Sequence, residues 1–313
     1  MSAKRFCSSF MPALINMTKG RIMNKQPRIR VAATAGFCFG VKRAVKLANE
    51  APQKYPGQQI STLGPIIHNP QVVAQLSTLG VMPTDLNHAP EPGVTIIRSH
   101  GITRDLTQEL KQRPDLTLID ATCPFVRRAQ EIVADMSNAG YQVIIIGEPD
   151  HPEVAGLISY GDPQNTQVVT SLAGIPADFF TVRKSSRIAL LAQTTQSQQL
   201  YNEIASALLA VKGELRCFNT ICTATSNRQS EALELAEACD CMLIIGGRNS
   251  ANTNRLYELS KERLPDSYHI ETLADLHPEW FSGKQTIGIS AGASTPQWLI
   301  DEVVEQLKYI LKN

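Results

Sequence analysis

A threefold internal repeat constrains this chain more than any other feature. Each copy runs through an apolar strand, a cysteine, an amphipathic helix, a second strand and a polar turn. The first strands of the copies are RIRVAAT (28–34), LTLIDAT (116–122) and ELRCFNT (214–220). The cysteines that follow them are Cys38, Cys123 and Cys222. Such a repeat predicts similar units packed about an axis, with one cysteine from each unit pointing at that axis.

The repeat predicts an α/β fold. Runs such as VIIIG (143–147) are apolar on successive residues, which is typical of parallel strands covered on both faces. We expect three similar lobes with mainly parallel sheets in a pseudo-threefold arrangement around a central cavity. The predicted units are a basic and disordered N-terminal extension and three lobes, at 1–27, 28–115, 116–213 and 214–313. The last lobe carries a C-terminal helix that begins at Thr295-Pro296.

Composition narrows the possible partners and the compartment. The net charge is +1, which argues against a nucleic-acid partner. No apolar run reaches the roughly 18 residues of a membrane span. The seven cysteines and the lack of a secretory signal favour a reducing cytoplasm, where clustered cysteines bind metal more often than they form disulfides. We interpret Cys217, Cys239 and Cys241 as core residues.

Three converging thiolates predict a metal site with an incomplete ligand set. Soft sulfur ligands suit zinc, copper(I) or an iron–sulfur cluster. Structural zinc usually takes four ligands from local CxxC pairs, and the chain has no CxxC. A cubane cluster normally takes four cysteines, so three would leave one iron open to substrate.

Polar side chains recur at the turns that follow the strands. Short turns that lead into helices bind phosphate through backbone N–H groups and the helix dipole. The chain has neither a P-loop nor a DDxxD-type acidic cluster, so an anion would have to be held by the protein's own donors. The candidate donors are His68, His100, His151, Ser250, Asn252 and Ser294.

Glu153 and Thr194 are the candidates for proton transfer. Glu153 stands in the segment DHPE, and a buried carboxylic acid there could act as a general acid. It could instead be an acidic residue that stabilises the first turn of a helix. Thr194 could relay a proton or bind a hydroxyl group, or it could cap a helix.

Together the motifs resemble the LytB family of 4-hydroxy-3-methylbut-2-enyl diphosphate reductases, which act in the non-mevalonate isoprenoid pathway. The resemblance spans residues 30–296 in the order of the family. Its segments are GFCFGVKRA, HNP, SHG, DATCP, DHPEV, QTT, TATSNRQ, NSANTNRL and SAGAS.

The resemblance implies a [4Fe–4S] cluster on Cys38, Cys123 and Cys222. It implies reductive removal of the substrate hydroxyl to give isopentenyl and dimethylallyl diphosphates, with electrons from a donor such as ferredoxin or flavodoxin. Glu153 would deliver protons and Thr194 would lie at the hydroxymethyl end of the substrate. The diphosphate would contact the candidate anion donors, which are His68, His100, His151, Ser250, Asn252 and Ser294.

Two residues depart from the family pattern. Ala251 stands where the family usually has a second serine, so backbone binding of an anion would survive there but a hydroxyl contact would not. Phe39 replaces the small residue that commonly follows the first cysteine, which questions the packing at Cys38. The alternative functions are an iron–sulfur dehydratase of a small phosphorylated substrate and a non-enzymatic iron–sulfur sensor.

Overall fold

The computed structural model describes residues 27–85, 88, 90–175 and 186–312. Within these residues, twelve strands form three four-stranded sheets in which every neighbouring pair is parallel. The strands are β1 (Arg28–Val31), β2 (Ile60–Leu63), β3 (Val81–Thr84), β4 (Gly93–Ile97), β5 (Leu116–Asp120), β6 (Gln142–Ile146), β7 (Thr166–Val169), β8 (Ser186–Ala192), β9 (Gly213–Cys217), β10 (Cys241–Ile245), β11 (Ser267–Ile270) and β12 (Thr286–Ala291).

The α-helices of the described residues alternate with the strands. They are α1 (Phe39–Lys54), α2 (Pro70–Thr78), α3 (Arg104–Lys111), α4 (Pro124–Asn138), α5 (Pro152–Ser159), α6 (Gln198–Leu208), α7 (Thr223–Ala238), α8 (Ala251–Arg263) and α9 (Gln297–Ile310). This alternation confirms the predicted α/β class with three similar lobes.

The three sheets share one strand order. They read β3-β2-β4-β5, β7-β6-β8-β9 and β11-β10-β12-β1. Within the described ranges, two helices cover one face of each sheet and a single helix covers the other, so each lobe has three layers. The paired helices are α1 with α2, α4 with α5, and α7 with α8. The central strands are apolar on both sides because both faces are covered.

The predicted lobe boundaries differ from the sheets by one strand. The boundaries at 28, 116 and 214 assign β1, β5 and β9 to the lobe that follows them, whereas each strand hydrogen-bonds into the sheet of another lobe. β5 and β9 complete the sheets before them, and β1 closes the ring by pairing with β12. Sequence order alone does not show which sheet a strand joins. The predicted extension at 1–27 lies outside the described residues except for Pro27.

The predicted start of the last helix is wrong by one residue. Pro296 is the capping residue of α9 and provides no side-chain cap. The Thr295 hydroxyl, which we expected to cap the helix, instead donates to the carbonyl of Ile245 at 2.9 Å. Thr295 therefore joins α9 to the end of β10.

No helix of the described residues is long and apolar enough to cross a membrane.

The ring closure by β1 can be tested with proline. The N–H groups of Arg28 and Ala32 donate to β12 and its flank at 2.8 Å, so the alternation of a parallel strand also turns the N–H of Arg30 toward β12. We expect Arg30→Pro to lower the free energy of unfolding by about 3 kcal/mol, because it removes a ladder hydrogen bond. Urea unfolding measures this change.

Val31→Pro is the matched control. The same alternation turns the N–H of Val31 away from β12, and β1 is an edge strand, where proline is tolerated. An equal loss of stability in Val31→Pro and Arg30→Pro would contradict the pairing.

Candidate functional site

Each of the three cysteines precedes a helix and is fixed by the same hydrogen bond. Cys38, Cys123 and Cys222 are the capping residues of α1, α4 and α7. Their N–H groups donate to carbonyls two residues beyond β12, β4 and β8. These carbonyls belong to Ala293 at 3.2 Å, Ser99 at 2.9 Å and Thr194 at 3.1 Å. The threefold repeat therefore places the three cysteines by one shared backbone contact.

The three cysteines line one cavity of about 90 Å³ at the centre of the molecule. The cavity lies at the carboxyl ends of the parallel strands, where ligands of such folds bind. It also brings together every polar residue that the sequence predicted for the site. These residues are His68, His100, His151, Glu153, Thr194, Ser250, Asn252 and Ser294.

The thiols of the cavity influence each other. Burial raises the pKa of Cys123, the N–H groups of Phe125 and Val126 lower it, and the neighbouring sulfurs of Cys38 and Cys222 raise it. Burial also raises the pKa of Cys222, and its contacts with Thr225 lower it. The helix N-termini favour thiolates, whereas burial and mutual repulsion oppose them. A positively charged metal centre between the sulfurs would remove this conflict.

The donor set of the cavity suits a soft metal centre. Its lining carries three thiols, and soft sulfur ligands favour zinc, copper(I) or an iron–sulfur cluster. Within the described ranges, no three histidine, cysteine, aspartate or glutamate side chains are grouped closely enough to hold one metal ion. An iron–sulfur cluster binds each cysteine through a different iron, and three cysteines leave one iron open. The three thiols therefore match the ligand set of such a cluster.

Three histidines from two lobes form one wall of the cavity. The ring centroids of His68 and His100 are 4.3 Å apart, and His151 lies 5.5 and 5.7 Å from them. Burial and the nearby charge of Arg98 lower the pKa of His68 to about 4. Burial, followed by His68 and Arg98, lowers the pKa of His151 to about 4. Neutral rings at neutral pH each keep one N–H donor for a ligand.

Several buried polar atoms of this wall have no hydrogen-bond partner among the described residues. Both amide atoms of Asn252, Nε2 of His68 and Nδ1 of His100 are buried without a hydrogen bond. Asn252 is only 4% exposed and stands at the start of α8. Leaving a buried polar atom unpaired costs about 1–3 kcal/mol, so native proteins pair most of them. The wall is consequently suited to a polar ligand with several acceptors.

The turns that follow β2, β6 and β10 are equivalent. His68, His151 and Ser250 each stand five residues beyond the end of β2, β6 and β10. His151 caps α5 and Ser250 caps α8, and Asn69 caps α2. The Ser294 hydroxyl donates to the carbonyl of His68 at 3.1 Å. Three helix N-termini thus face the cavity, which favours an anionic ligand.

Glu153 is buried beside Cys222 and is bound to Thr194. Its carboxyl group accepts the Thr194 N–H at 2.7 Å and the Thr194 hydroxyl at 2.8 Å. Burial raises the pKa of Glu153 to about 7, although the two Thr194 contacts lower it. A carboxyl group with this pKa can hold and release a proton at neutral pH. Thr194 does not cap a helix, since Ser197 caps α6.

The family model described as LytB protein matches residues 29–308. The 4-hydroxy-3-methylbut-2-enyl diphosphate reductase of Geotalea uraniireducens is 47% identical over 91% of this chain and 99% of its own length. The protein of that name from Aquifex aeolicus is 46% identical over 91% and 97% of the two chains. The chain belongs to the LytB family.

Two solved structures share the fold of this LytB chain. One is (E)-4-hydroxy-3-methyl-but-2-enyl diphosphate reductase, described as the terminal enzyme of the non-mevalonate pathway. It is 45% identical, covers 90% of this chain and 99% of its own, and has a TM-score of 0.66. The other is the E-1-hydroxy-2-methyl-but-2-enyl-4-diphosphate reductase of Plasmodium falciparum. It is 26% identical, covers 91% and 89% of the two chains, and has a TM-score of 0.82.

Of the two residues in which this LytB chain departs from the family pattern, one is buried and the other is exposed. Ala251 is buried in the cavity lining beside Ser250, so a methyl group stands where a hydroxyl was expected. Phe39 is exposed and leaves the packing at Cys38 undisturbed, since Cys38 keeps its backbone bond to Ala293. The interpretation of Cys217 as a core residue was wrong because it is exposed, whereas Cys241 is buried and Cys239 is partly buried.

Sequence reasoning missed three residues of the LytB site. Arg98 is buried and its charge reaches all three histidines. Arg228 lines the cavity next to Cys38 and Cys222. Position 40 requires glycine, because a Cβ there would lie 2.6 Å from the Cys123 sulfur. Gly40 and Arg228 stand inside motifs of the LytB resemblance and Arg98 directly precedes the SHG segment, but burial of a charge and a contact between lobes cannot be read from one sequence.

Arg228 fastens the cysteine helix of one lobe to the loop of another. Its guanidinium donates to the carbonyls of Thr34 at 3.1 Å, Gly36 at 2.8 Å and Ala224 at 3.1 Å. Glu231, one turn later on α7, accepts from the N–H of Thr34 at 2.8 Å. The loop that presents Cys38 is therefore held by two side chains of α7.

We expect Arg228→Met to lower the free energy of unfolding by about 3 kcal/mol, because it keeps the volume but leaves buried carbonyls unpaired. Urea unfolding of anaerobic protein measures the loss. Arg263→Met is the control, since Arg263 is a surface residue paired with Glu237 and should change stability by about 0.5 kcal/mol or less. Equal midpoints for the two variants would contradict the fastening role.

Proposed function

We propose that this chain is a 4-hydroxy-3-methylbut-2-enyl diphosphate reductase. In this reaction the substrate takes up two electrons and two protons, its carbon–hydroxyl bond breaks, and water leaves with isopentenyl or dimethylallyl diphosphate. The observation that carries the proposal is the joining of three thiols, a buried carboxyl group and an unpartnered polar wall in one cavity. Membership of the LytB family and the names of the relatives support it.

Cys38, Cys123 and Cys222 would hold a [4Fe–4S] cluster. When bound, such a cluster supplies single electrons and an open iron that can act as a Lewis acid toward the substrate hydroxyl. The number of thiols in the lining and the polar residues beside them support this assignment. The cysteines of the described residues are all free thiols, which supports a reducing compartment such as the cytoplasm. Ferredoxin or flavodoxin would supply the electrons.

The polar wall would hold the diphosphate. His68, His100 and His151 would donate ring N–H groups, and Ser250, Asn252 and Ser294 would donate from the third lobe. Asn252, His68 and His100 have unpaired buried atoms there, and phosphate oxygens would accept from their donors. Ala251 offers an N–H group at the start of α8 but no hydroxyl.

Arg98 would strengthen binding of the anion from behind the histidines. Its Nε donates to the Gly101 carbonyl at 3.3 Å, and burial lowers its pKa. Burial is the largest cause that lowers the pKa of each histidine, and the Arg98 charge lowers it further. An arriving diphosphate compensates this buried charge and raises the pKa of the rings. A bound diphosphate would therefore supply the negative charge that the polar wall lacks by itself.

Glu153 would deliver the proton at the hydroxymethyl end of the substrate. It lies near Cys222 and is held by Thr194, whose carbonyl accepts the Cys222 N–H. The same Thr194 therefore fixes both the acid and one cysteine. In the protonated state Glu153 can give its proton to the leaving oxygen, which departs as water.

The proposed activity is tested with anaerobically purified protein. With dithionite and methyl viologen, we expect consumption of the diphosphate substrate, formation of both isoprenoid diphosphates, and about four irons per chain. Loss of water from the substrate without consumption of reductant would favour a dehydratase. Iron-loaded protein that neither binds nor converts the substrate would favour a sensor and overturn the proposal.

The role of Glu153 predicts a pH dependence. Because the protonated form donates, turnover should fall as the pH rises through about 7, the pKa to which burial raises this group. We expect Glu153→Gln to lower kcat about 100-fold or more and to remove this falling limb. The iron content should be unchanged, which separates loss of the proton from loss of the site.

The pH dependence of the free energy of unfolding gives a second measure of the Glu153 pKa. The folded-state pKa lies above the ordinary value of 4.5, so the folded state holds the proton more tightly and the free energy of unfolding falls between about pH 4.5 and 7. Glu153→Gln should remove this fall. Glu203→Gln, a change at an exposed helical carboxylate, is the control for both measurements. Normal turnover in Glu153→Gln would remove this residue from proton delivery.

A further inference from the structure

The N-terminal ends of α1 and α4 lie side by side next to two of the three thiols. Gly40 on α1 approaches the Cys123 sulfur so closely that a Cβ would stand 2.6 Å away. Arg43 on α1 donates to the carbonyls of Asp120 at 2.8 Å and Thr122 at 3.2 Å, just before α4. The two helices therefore form one continuous surface that borders the cavity.

Two aromatic rings are exposed on this surface. Phe39 is the first residue of α1 and is 65% exposed, and Phe125 is the second residue of α4 and is 45% exposed. Phe39 follows Cys38 directly, and Phe125 follows Cys123 by two residues. Exposed aromatic rings are costly in water and are enriched at protein–protein interfaces. We call Phe39 and Phe125 the aromatic edge.

Basic side chains surround the aromatic edge. The first eight residues of α1 and of α4 carry five of them and one acidic residue, Glu131. They are Lys42, Arg43, Lys46, Arg127 and Arg128. The helix dipoles add positive potential at the same ends. Since the whole chain has a net charge of only +1, this concentration of positive charge is local.

Acidic neighbours compensate this charge only in part. Lys46 lies 3.7 Å from Glu50 and Arg128 lies 3.3 Å from Glu131, and both pairs are exposed and therefore weak. Arg127 pairs with Asp120. The aromatic edge and the basic residues around it thus offer an apolar centre within a positively charged rim.

We propose that the aromatic edge and its basic rim dock a small acidic one-electron carrier protein, such as a [2Fe–2S] ferredoxin. This inference rests on the proposed function, because it names the surface where the electrons enter. Cys38 and Cys123 lie one and two residues from the edge, so a docked carrier comes close to the thiols that would hold the cluster. The cationic rim steers an acidic partner, and the rings exclude water from the contact.

The electron balance requires two encounters per turnover. Each reduced carrier gives up one electron and leaves oxidised by one electron. Two such electrons and two protons convert one substrate molecule into one isoprenoid diphosphate and one water. A surface used twice per turnover needs fast association and fast release, which charge steering around a small apolar contact provides.

The test compares Lys42→Glu/Arg128→Glu and Phe39→Ala with the parent enzyme. Neither variant changes a residue of the cavity lining. Calorimetric titration with an oxidised acidic [2Fe–2S] ferredoxin measures binding without turnover. At low salt we expect the dissociation constant of the charge-reversal variant to rise about tenfold or more, and the difference to shrink as salt screens the rim. Phe39→Ala should weaken binding at every salt concentration.

Two electron sources separate docking from chemistry. Turnover with reduced ferredoxin should fall with binding, whereas turnover with dithionite and methyl viologen should match the parent. Lys308→Glu/Lys312→Glu, the same double charge reversal at the end of α9, should leave both turnovers at the parent level. Parent-like ferredoxin binding in both edge variants, or equal losses with viologen and ferredoxin, would overturn the docking surface. A parent enzyme inactive with viologen would instead refute the proposed function.

Discussion

The hydrogen bond from each cysteine N–H to the neighbouring strand end is the contact on which the centre of this molecule depends. It occurs three times, to Ala293, Ser99 and Thr194, and each time it joins the start of a helix to the carboxyl edge of a sheet. Because the acceptors occupy equivalent places, the three thiols line the same cavity. The backbone therefore places the three cysteines, and the side chains of Arg228 and Glu231 hold the loop before Cys38.

The site is built to gain stability from negative charge. Arg98 and Arg228 are buried near it, three neutral histidines line it, and helix N-termini face it. Among the described residues of the lining, Glu153 is the one carboxyl group, and burial favours its neutral form. Thiolates bound to metal and a diphosphate would supply the missing negative charge. The positive charge of the two arginines is therefore concentrated near the cavity, although the net charge of the whole chain is only +1.

The sequence predicted the layers and the site because both follow from spacing. Strand–cysteine–helix order and equal distances to the polar turns are visible in one chain, and the parallel α/β class is confirmed. The partner of β1 was not predictable, since pairing with β12 joins residues more than 250 positions apart. Arg98 and Arg228 were missed for a related reason. Their importance comes from burial, and a single sequence does not show which arginines are buried.

The threefold repeat places three equivalent hydrogen bonds around the cavity, one at each cysteine, but the residues beside them differ. Ser99, Thr194 and Ala293 accept the same hydrogen bond, but only Thr194 also binds a carboxyl group. The proposed proton donor, Glu153, therefore lies beside Cys222. The aromatic edge lies beside the other two cysteines, Cys38 and Cys123. Electrons and protons would thus reach the substrate from different sides, so a docked electron carrier need not block the buried acid.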